Sequence, residues 1–368
     1  MKKSYGSIPW FGPQMTGNEK KYLQDVIDSN YINDGTVTRQ LEEKVANLLG
    51  VQFAVGVTSG TVAISLALMG LGIGEGDEVI IPNLTFVATA NAVRLCGAKV
   101  KLVDIDRTRF CIDIARVEEA ITAKTKAIVP VDVNGRGADY SALEALCKKY
   151  GLYLVSDAAE ALGSKWNGRY LGTFGNAGCF SFSANKTLST GQGGMIVTND
   201  EDLHAVLREL KDQGRRFQGS GGDDLHPVVG YNFKLTNIQS AVGLAQFEQL
   251  QTRLDGARSR QKWYREELSD IEGVILPPVN DADGEVLQWT DILLEDRSKV
   301  KYALDKEGIG CRAFWFPISS QKPYANVDLE FPNSAYVSER GLWLPSSFSL
   351  SRDDVSYTCA HIRSVLGK

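Results

Sequence analysis

The amino-acid sequence predicts an α/β fold in which helices cover both sides of a mainly parallel central sheet. From about residue 50 onward, short apolar runs rich in β-branched residues alternate with amphipathic segments, the pattern of strand–helix–strand units. The chain has 368 residues, which is more than one hydrophobic core usually supports. An apolar helical stretch becomes charged around Arg253–Arg260. We therefore predict a large domain over residues 1–250, which includes the N-terminal segment, and a smaller C-terminal α/β domain over residues 251–368.

Seven short apolar runs are the strand candidates of the predicted sheet. They are Phe53–Val57, Glu78–Ile81, Lys99–Asp104, Lys126–Val131, Tyr153–Ser156, Gly178–Ser183 and Met195–Thr198. One longer stretch, Gln52–Gly74, carries no charge and has the length of a membrane span. Polar and turn residues at Thr58–Thr61 interrupt it, so a buried strand, a loop and a helix explain this stretch better.

Helices are predicted where capping signals precede apolar residues at helical spacing. Thr16–Glu19 and Ser351–Asp354 both fit a capping box, and each is followed by such an apolar stripe. Tyr140–Tyr150 is amphipathic, and a long helix is predicted to begin near Asn237.

The composition indicates an ordinary globular protein. The formal net charge is -5 and no long run of Lys and Arg occurs, so we expect no binding to nucleic acid or to an anionic membrane. The N-terminus lacks the apolar run of a secretion signal, and we expect a cytoplasmic protein. Neither the three histidines nor the six cysteines show metal-ligand spacing, so reduced thiols and no metal site are expected.

A loop of small polar residues lies between the first predicted strand and an apolar helix. Thr58, Ser59, Gly60 and Thr61 form this loop. Backbone N–H groups at such a helix start, together with a hydroxyl, form a ready anion site. An ordinary helix cap would explain the same residues.

Two charged residues follow later strands. Asp157 closes the strand Tyr153–Ser156, and a carboxylate there could cap a helix or hold the ring nitrogen of a cofactor protonated. Lys186 lies past the strand Gly178–Ser183 and ahead of the glycine-rich stretch 190–194. A partly desolvated lysine there could form an imine, whereas a solvated surface lysine is the alternative. The joint order of anion loop, strand-end aspartate and later strand-end lysine favours the cofactor interpretation.

The sequence resembles the DegT/DnrJ/EryC1/StrS sugar aminotransferases over nearly its whole length. The most specific motifs are Ser156-Asp157-Ala158-Ala159-Glu160-Ala161, Phe180-Ser181-Phe182-Ser183-Ala184-Asn185-Lys186 and Gly230-Tyr231-Asn232-Phe233-Lys234-Leu235-Thr236-Asn237. Within that family the chain is most similar to the GDP-perosamine synthases. The resemblance implies the aspartate-aminotransferase type of fold (fold type I) and pyridoxal 5′-phosphate (PLP) as cofactor.

The resemblance also implies catalytic roles for matched positions. Lys186 would hold PLP as a Schiff base and move the proton between the two carbons. Asp157 would pair with the pyridine nitrogen of the cofactor, and Glu160 would lie near its ring oxygen.

Further matched positions would bind the cofactor. Gly60, Thr61 and Ser181 would hold the phosphate, and Phe86 would stack on the ring. Asn232, which follows the glycine-rich stretch Gly219–Gly222, would reach the phosphate in the neighbouring subunit. The resemblance therefore implies a homodimer with an active site shared between its subunits.

Four residues depart from the pattern of the family. Relatives often read V-H-L-Y-G where this chain has Asp132 and Asn134, G-E-G-G where it has Gln192, and histidine near Ser319. These departures leave the expected cofactor residues intact and lie in loops expected near the active site. They bear on the substrate.

The implied reaction is transfer of an amino group from L-glutamate to a keto group, at C4 in the perosamine synthases, of a nucleotide-linked keto-deoxysugar. Such products enter surface polysaccharides and natural products. Three alternatives stay open: the same transamination on a sugar without a nucleotide, such as an oxidised octulosonate; a PLP-dependent dehydratase or lyase; and a regulator that only binds PLP or a sugar nucleotide. A related dehydratase branch has histidine in place of Lys186, and binding alone does not need an electron sink, so the residues favour amino transfer.

Overall fold

Strands and helices alternate along most of the chain, as the periodicity predicts. The computed structural model describes residues 7–216, 225–325 and 330–367, so the first six residues and Gly219–Gly222 lie outside the described residues. The strands of this part are β1 (Phe53–Val57), β2 (Glu78–Pro82), β3 (Lys99–Val103), β4 (Thr125–Ile128), β5 (Tyr153–Asp157), β6 (Lys165–Trp166), β7 (Arg169–Tyr170), β8 (Ala177–Ser181), β9 (Gly194–Thr198), β10 (Val274–Ile275), β11 (Asp291–Leu294), β12 (Arg312–Ala313) and β13 (Gly341–Trp343). The α-helices are α1 (Glu19–Asp28), α2 (Thr36–Leu49), α3 (Gly60–Gly70), α4 (Ala88–Leu95), α5 (Ile114–Ala120), α6 (Tyr140–Tyr150), α7 (Glu201–Lys211), α8 (Asn237–Glu248), α9 (Leu250–Leu268), α10 (Arg297–Lys306), α11 (Pro332–Arg340) and α12 (Arg352–Leu366).

The large sheet of the described residues has seven strands in the order β1-β9-β8-β5-β4-β2-β3. β3, β2, β4, β5 and β8 pair in parallel, whereas β9 pairs antiparallel with both β8 and β1. Six strands therefore run in one direction and share one carboxyl edge, where α/β proteins place their ligand sites. The mainly parallel sheet and all seven predicted strands are confirmed.

Three strands end earlier than the sequence predicts, and β3 does so by one residue, at Val103 rather than Asp104. β4 ends at Ile128 rather than at Val131, and β8 ends at Ser181 rather than at Ser183. Val131 and Ser183 line the cavity described below. An apolar run predicts burial but not continuous hydrogen-bond pairing, and beyond Ile128 the pairing with β5 is reduced to an isolated bridge between Val131 and Asp157.

Two apolar cores cover opposite faces of the sheet. Along β5, Leu154 packs in one core and Val155 in the other, and Ile128 and Ala127 of β4 divide in the same way. Successive side chains of a strand point to opposite faces, so this division is what a sheet buried on both sides requires.

Two of the predicted helices are confirmed at their ends. α6 spans Tyr140–Tyr150, the segment that the sequence predicts. In the capping box before α12, Ser351 Oγ accepts a hydrogen bond from Asp354 N–H at 3.2 Å, and the Asp354 carboxylate accepts one from Ser351 N–H at 2.9 Å.

The capping box predicted at Thr16–Glu19 is wrong. α1 begins at Glu19, Asn18 is its N-cap, and no side chain caps it. The Glu19 side chain is buried and accepts a hydrogen bond from Gln246 Nε2 at 2.6 Å. A tertiary contact to α8 therefore uses the carboxylate that would have closed the box.

The long helix predicted from Asn237 is two helices. α8 ends at Glu248, and Gln249 (φ -94, ψ -2) separates it from α9. α9 then packs Leu254 against a core of the large sheet and Tyr264 against the core of the C-terminal part. The helix therefore bridges two cores, and two of its charged residues, Arg253 and Arg260, are themselves buried.

The C-terminal part has a sheet of its own in the order β10-β11-β13-β12, with antiparallel pairing. The beginning of the described chain joins this part, because Ile8 forms a β-bridge with Ile309 and Trp10 packs against Trp289 and Trp343. The division into two domains near residue 250 stays a prediction.

Within residues 7–216, 225–325 and 330–367, no helix is both long enough and apolar enough to cross a membrane. The same residues contain no cluster of His, Cys, Asp and Glu side chains that could hold a metal ion. All six cysteines are free.

Candidate active site

A cavity of about 430 Å³ opens at the carboxyl edge of the large sheet. It is lined by seven of the eight residues that the sequence analysis selected as a site: Gly60, Thr61, Phe86, Asp157, Glu160, Ser181 and Lys186. These residues are far apart in the chain and meet because each follows or ends an element of the same sheet. The eighth residue, Asn232, does not line the cavity.

Lys186 lies in the turn after β8, with its amine near a carboxylate and an aromatic ring. Its Nζ is 3.1 Å from Glu160 Oε1 and 5.3 Å from the centroid of the Trp289 ring. The lysine side chain is 12% exposed and that of Glu160 is 6% exposed. The alternative of a solvated surface lysine is therefore wrong.

Asp157 ends β5 as a buried carboxylate. Its Oδ2 accepts a hydrogen bond from Thr89 Oγ1 at 2.7 Å, and its Oδ1 accepts one from Ala159 N–H at 3.2 Å. Burial raises the pKa of Asp157 to about 6, although these hydrogen bonds oppose the shift. Residues 158–164 do not form a helix, so the helix N-cap alternative for this aspartate is wrong.

The loop before α3 is both a helix cap and a cavity wall. Ser59 Oγ accepts a hydrogen bond from Val62 N–H at 3.2 Å, so the capping interpretation is correct as far as it goes. Gly60, Thr61 and Ser181 all line the cavity. A Cβ on Gly60 would lie 2.8 Å from Ser181 Cβ, so glycine permits this close approach. A helix N-terminus flanked by hydroxyls is an anion site.

The structure of one chain tests the predicted position of Phe86, but it does not test the predicted contact of Asn232 with a second subunit. Phe86 lines the cavity and is 50% exposed, so it is accessible to a ligand. Asn232 is exposed and forms a backbone bridge with Asp212. Its assignment to a second subunit stays a prediction.

The cavity residues that the sequence analysis missed include Thr89, Trp289, Arg312 and Trp315. The last three belong to the C-terminal part, and no motif marks them in the sequence. The Arg312 guanidinium lies 5.2 Å from the Trp10 ring centroid and 5.6 Å from that of Trp343. It makes no hydrogen bond or ion pair with the described residues.

The departure at Asp132 lies directly behind Asp157. Asp132 N–H donates to Asp157 C=O at 3.0 Å, and its carboxylate accepts hydrogen bonds from Tyr140 at 2.8 Å and Ser156 at 3.0 Å. Burial raises the pKa of Asp132 to about 8. This residue contacts the site through the backbone and does not line the cavity.

The other departures differ in their distance from the cavity. Gln192 lines it. Ser319 does not, and its N–H donates to Asn83 Oδ1 at 2.8 Å. Asn134 is buried behind Glu160, and its N–H donates to Glu160 Oε2 at 2.9 Å.

The residues present fit PLP. That cofactor carries a phosphate, a carbonyl group and a ring nitrogen. The cavity has a helix start with hydroxyls, the amine of Lys186 and the carboxylate of Asp157, each a chemical partner for one of these groups. The fold and the cavity together define a PLP-dependent enzyme of the aspartate-aminotransferase type.

Comparison with known proteins makes the class specific. The model of the DegT/DnrJ/EryC1/StrS aminotransferase family matches residues 13–363, and the chain belongs to that family. It is 37% identical over 360 residues to the GDP-perosamine synthase of Escherichia coli O157:H7, covering 96% of this chain and 97% of that protein. It is 40% identical over 336 residues to the UDP-N-acetyl-3-dehydro-alpha-D-glucosamine 3-aminotransferase of Acidithiobacillus ferrooxidans, covering 90% of this chain and 89% of that protein.

Solved structures agree with the family assignment. Spr1654 of Streptococcus pneumoniae in its PLP form matches with a TM-score of 0.93 at 25% identity, over 98% of this chain and 99% of that chain. The protein is a sugar aminotransferase, and its cofactor is PLP.

Proposed function

We propose that the protein transfers an amino group from L-glutamate to a keto group, at C4, of a nucleotide-linked keto-deoxysugar, in the cytoplasm. The observation that carries the proposal is the convergence of Lys186, Asp157 and Glu160 in one cavity. The names of two relatives, which specify a GDP-linked product and a UDP-linked substrate, support a nucleotide sugar. The product would serve surface polysaccharide or natural-product sugar biosynthesis.

Each of the three residues has a distinct task in this proposal. PLP, when bound, supplies an electron sink for the carbon that loses or gains a proton. Lys186 binds the cofactor through its amine and then carries the proton between the reacting carbon of the substrate and that of the cofactor. Asp157 holds the ring nitrogen protonated, and Glu160 orients the Lys186 amine at 3.1 Å.

Four further residues hold the cofactor in place. Gly60, Thr61 and Ser181 bind the phosphate at the start of α3, and Phe86 stacks on the ring. The tight approach of Gly60 to Ser181, with 2.8 Å available to a Cβ, supports a wall shaped for a small anion.

The direct test uses purified protein with PLP. L-glutamate should change the visible absorbance of the bound cofactor and release 2-oxoglutarate. A screen of keto sugars with and without a nucleotide should then give an aminated product from a nucleotide-linked 4-keto-6-deoxyhexose. An aminated product only from a nucleotide-free sugar acid would contradict the proposed substrate, and no response to any amino donor would contradict amino transfer.

Arg312 is the residue that we expect to bind the carboxylate of the amino donor. It is a cation at the cavity wall, it has no counter-ion among the described residues, and two indole rings fix its guanidinium group. Arg312→Met should raise the KM for L-glutamate about tenfold to a hundredfold, the loss expected for one charged hydrogen bond. Steady-state kinetics with each substrate varied would measure it.

The same kinetics contain the control for Arg312. The KM for the keto sugar should change less than threefold, roughly the scatter of small surface effects. A rise in the KM for the sugar with an unchanged KM for glutamate would show that Arg312 binds the sugar nucleotide instead.

The proposal includes a homodimer in which Asn232 reaches the cofactor phosphate of the neighbouring subunit. Asn232 is exposed and lies outside its own cavity. Leu225 is 68% exposed and Val229 is 82% exposed, and they lie within eight residues of Asn232 in the chain. Large apolar side chains on a surface favour a protein interface. These features support a shared site.

Mixing two inactive variants tests the shared site. Lys186→Ala and Asn232→Ala subunits should each be inactive as homodimers, whereas mixed dimers should regain activity. One of the two sites in a mixed dimer would have both groups intact, so roughly a quarter of wild-type activity is expected in an equimolar random mixture. Mixed dimers that form, as judged by differently tagged subunits, but stay inactive would contradict the shared site.

A further inference from the structure

Asn134 joins two segments that each place a side chain beside the Lys186 amine. It lies in the turn Val133–Gly135 after β4, is fully buried, and has a left-handed backbone with φ of 58°. Asparagine is one of the few residues other than glycine that enters this region readily. Asparagine can therefore adopt this backbone conformation without hydrogen bonds to other segments. The hydrogen bonds that the Asn134 side chain does make need another explanation.

The side chain of Asn134 pairs with the backbone of Trp289. Its Oδ1 accepts from Trp289 N–H at 2.8 Å, and its Nδ2 donates to Trp289 C=O at 2.6 Å. The orientation of the amide is unambiguous, because a backbone N–H can only donate and a carbonyl can only accept. Nδ2 also donates to Asp291 Oδ2 at 2.9 Å. Both amide hydrogens and the oxygen thus have partners.

The backbone of Asn134 holds the other element. Its N–H donates to Glu160 Oε2 at 2.9 Å, and Glu160 Oε1 lies 3.1 Å from Lys186 Nζ. Its C=O accepts from Gln288 N–H at 3.2 Å. One residue therefore fixes the carboxylate beside the Lys186 amine and the backbone that carries the Trp289 ring.

The Trp289 ring depends on this backbone for its position. Its Nε1 is buried and has no hydrogen-bond partner among the described residues. Its ring centroid lies 5.3 Å from Lys186 Nζ. Packing and the backbone contacts of residue 289 are what orient the indole.

An ion pair anchors the same segment further along the chain. Arg136, two residues after Asn134, donates two hydrogen bonds to Asp291, at 2.6 Å and 2.7 Å, and both side chains are 0% exposed. A bidentate pair of this kind has a fixed geometry. The turn at 133–136 and the segment at 288–291 are therefore held as one rigid unit.

We propose that Asn134 is a positioning residue that places the Glu160 carboxylate and the Trp289 ring beside the Lys186 amine. The proposal rests on the proposed function, because it assumes that Lys186 binds the cofactor. A carboxylate and a ring face both favour a positive charge on the lysine nitrogen. Asn134 thereby sets how readily that nitrogen holds a proton when the cofactor is attached.

Asn134→Gly tests the side-chain hydrogen bonds of Asn134 separately from its backbone hydrogen bonds. Glycine adopts the same φ and keeps the N–H that bonds Glu160, while the bonds to Trp289 and Asp291 are lost. The pH midpoint of the visible absorbance of the bound cofactor should move down by about half a unit to one unit, as expected when one favourable neighbour of a cation loosens. The cofactor should also dissociate several times faster during dialysis.

Four further variants serve as controls and comparisons for this experiment. Asn167 has a left-handed backbone with φ of 48° in an exposed turn, so Asn167→Gly makes the same substitution away from the site and should leave the midpoint unchanged. Trp289→Phe and Glu160→Gln should each move the midpoint in the same direction as Asn134→Gly. Asn134→Asp keeps the size of the side chain but replaces its two donated hydrogen bonds with repulsion, and it serves if the glycine variant does not fold.

Two outcomes would overturn the proposal in distinguishable ways. A lower Tm for Asn134→Gly, or for Asn134→Asp if the glycine variant does not fold, with an unchanged midpoint and unchanged cofactor retention, would show a purely structural role. Wild-type protein that borohydride does not label with a pyridoxyl group at Lys186 would overturn the proposed function, and this inference with it.

Discussion

Replacement of Lys186 by alanine should abolish amino transfer while leaving the fold intact. The lysine lies in a turn after β8, outside the two cores of the large sheet, so its loss removes little buried apolar surface. Its removal eliminates both the covalent attachment of the cofactor and the proton carrier. Proton transfer by a positioned group alone is typically worth about 10² to 10⁴-fold, so turnover should fall by at least about 10³-fold.

Borohydride reduction identifies the attachment point independently of turnover. Reduction of the wild-type protein followed by peptide mapping should place the pyridoxyl group on Lys186. Lys186→Arg is the matched variant, because it keeps a cation beside Glu160 but has no amine to form an imine. If Lys186→Arg stays active, or if the label maps to another lysine, the assignment is wrong.

Replacement of Asp157 by alanine should lower turnover by about 10²-fold or more, the size of effect seen when one preorganised electrostatic partner is lost. The carboxylate is 4% exposed and held by Thr89 and Ala159. Without it, the protonated ring nitrogen of the cofactor loses its anionic partner, and the electron sink weakens. Single-turnover kinetics with L-glutamate would measure the loss in the first half-reaction.

Asp157→Asn and Asp132→Asn form the control pair, since the two carboxyls are buried neighbours at adjacent strand ends. Asp157→Asn should be nearly as impaired as the alanine variant, whereas Asp132→Asn should stay within about tenfold of the wild type, because its raised pKa already favours a neutral acid. Equal losses in both variants would show that the strand-end hydrogen-bond network, rather than the charge of Asp157, is what matters.

The stability of the cofactor-free protein gives a second readout for Asp157. Burial raises the pKa of Asp157 from 3.8 to about 6, so the folded protein holds this proton more tightly than the unfolded chain does. The stability from this group is fully present below about pH 4 and is lost as the pH rises through about 6. The difference in unfolding free energy between Asp157→Asn and the wild type should therefore depend on pH in that window.

Local sequence patterns predicted most of the large sheet and, in the cavity, the loop before α3, Asp157 and Lys186. Each strand is a short apolar run, which local composition marks, and parallel strands place their carboxyl ends together whatever the remaining chain does. Asp157 and Lys186 could be assigned to one site because each follows such a strand. Gly60 followed from the same order of elements, whereas Ser181 came from the resemblance to the family.

Tertiary structure decided the features that depend on pairing between distant segments. The apolar residues near Val131 and Ser183 did not reveal where β4 and β8 end. The buried Glu19 carboxylate accepts a hydrogen bond from Gln246 instead of closing a capping box. The break at Gln249 turns α9 towards a second core. None of these three features can be predicted from the residues that are close to it in the chain.

The C-terminal wall of the cavity shows the same division. By itself the sequence pattern determined the fold class, the loop with Gly60 and Thr61, Asp157 and Lys186, because strand periodicity and residue order are local properties of the chain. The resemblance to the family added Phe86, Glu160 and Ser181. No local sequence signal marks Trp289 or Arg312 as cavity residues. They reach the cavity because three sets of contacts hold the C-terminal segments at the sheet edge: the buried Arg136–Asp291 pair, the amide of Asn134 and the aromatic contacts of Trp10. Contacts between residues more than a hundred positions apart fix that wall, and only the folded chain brings them together.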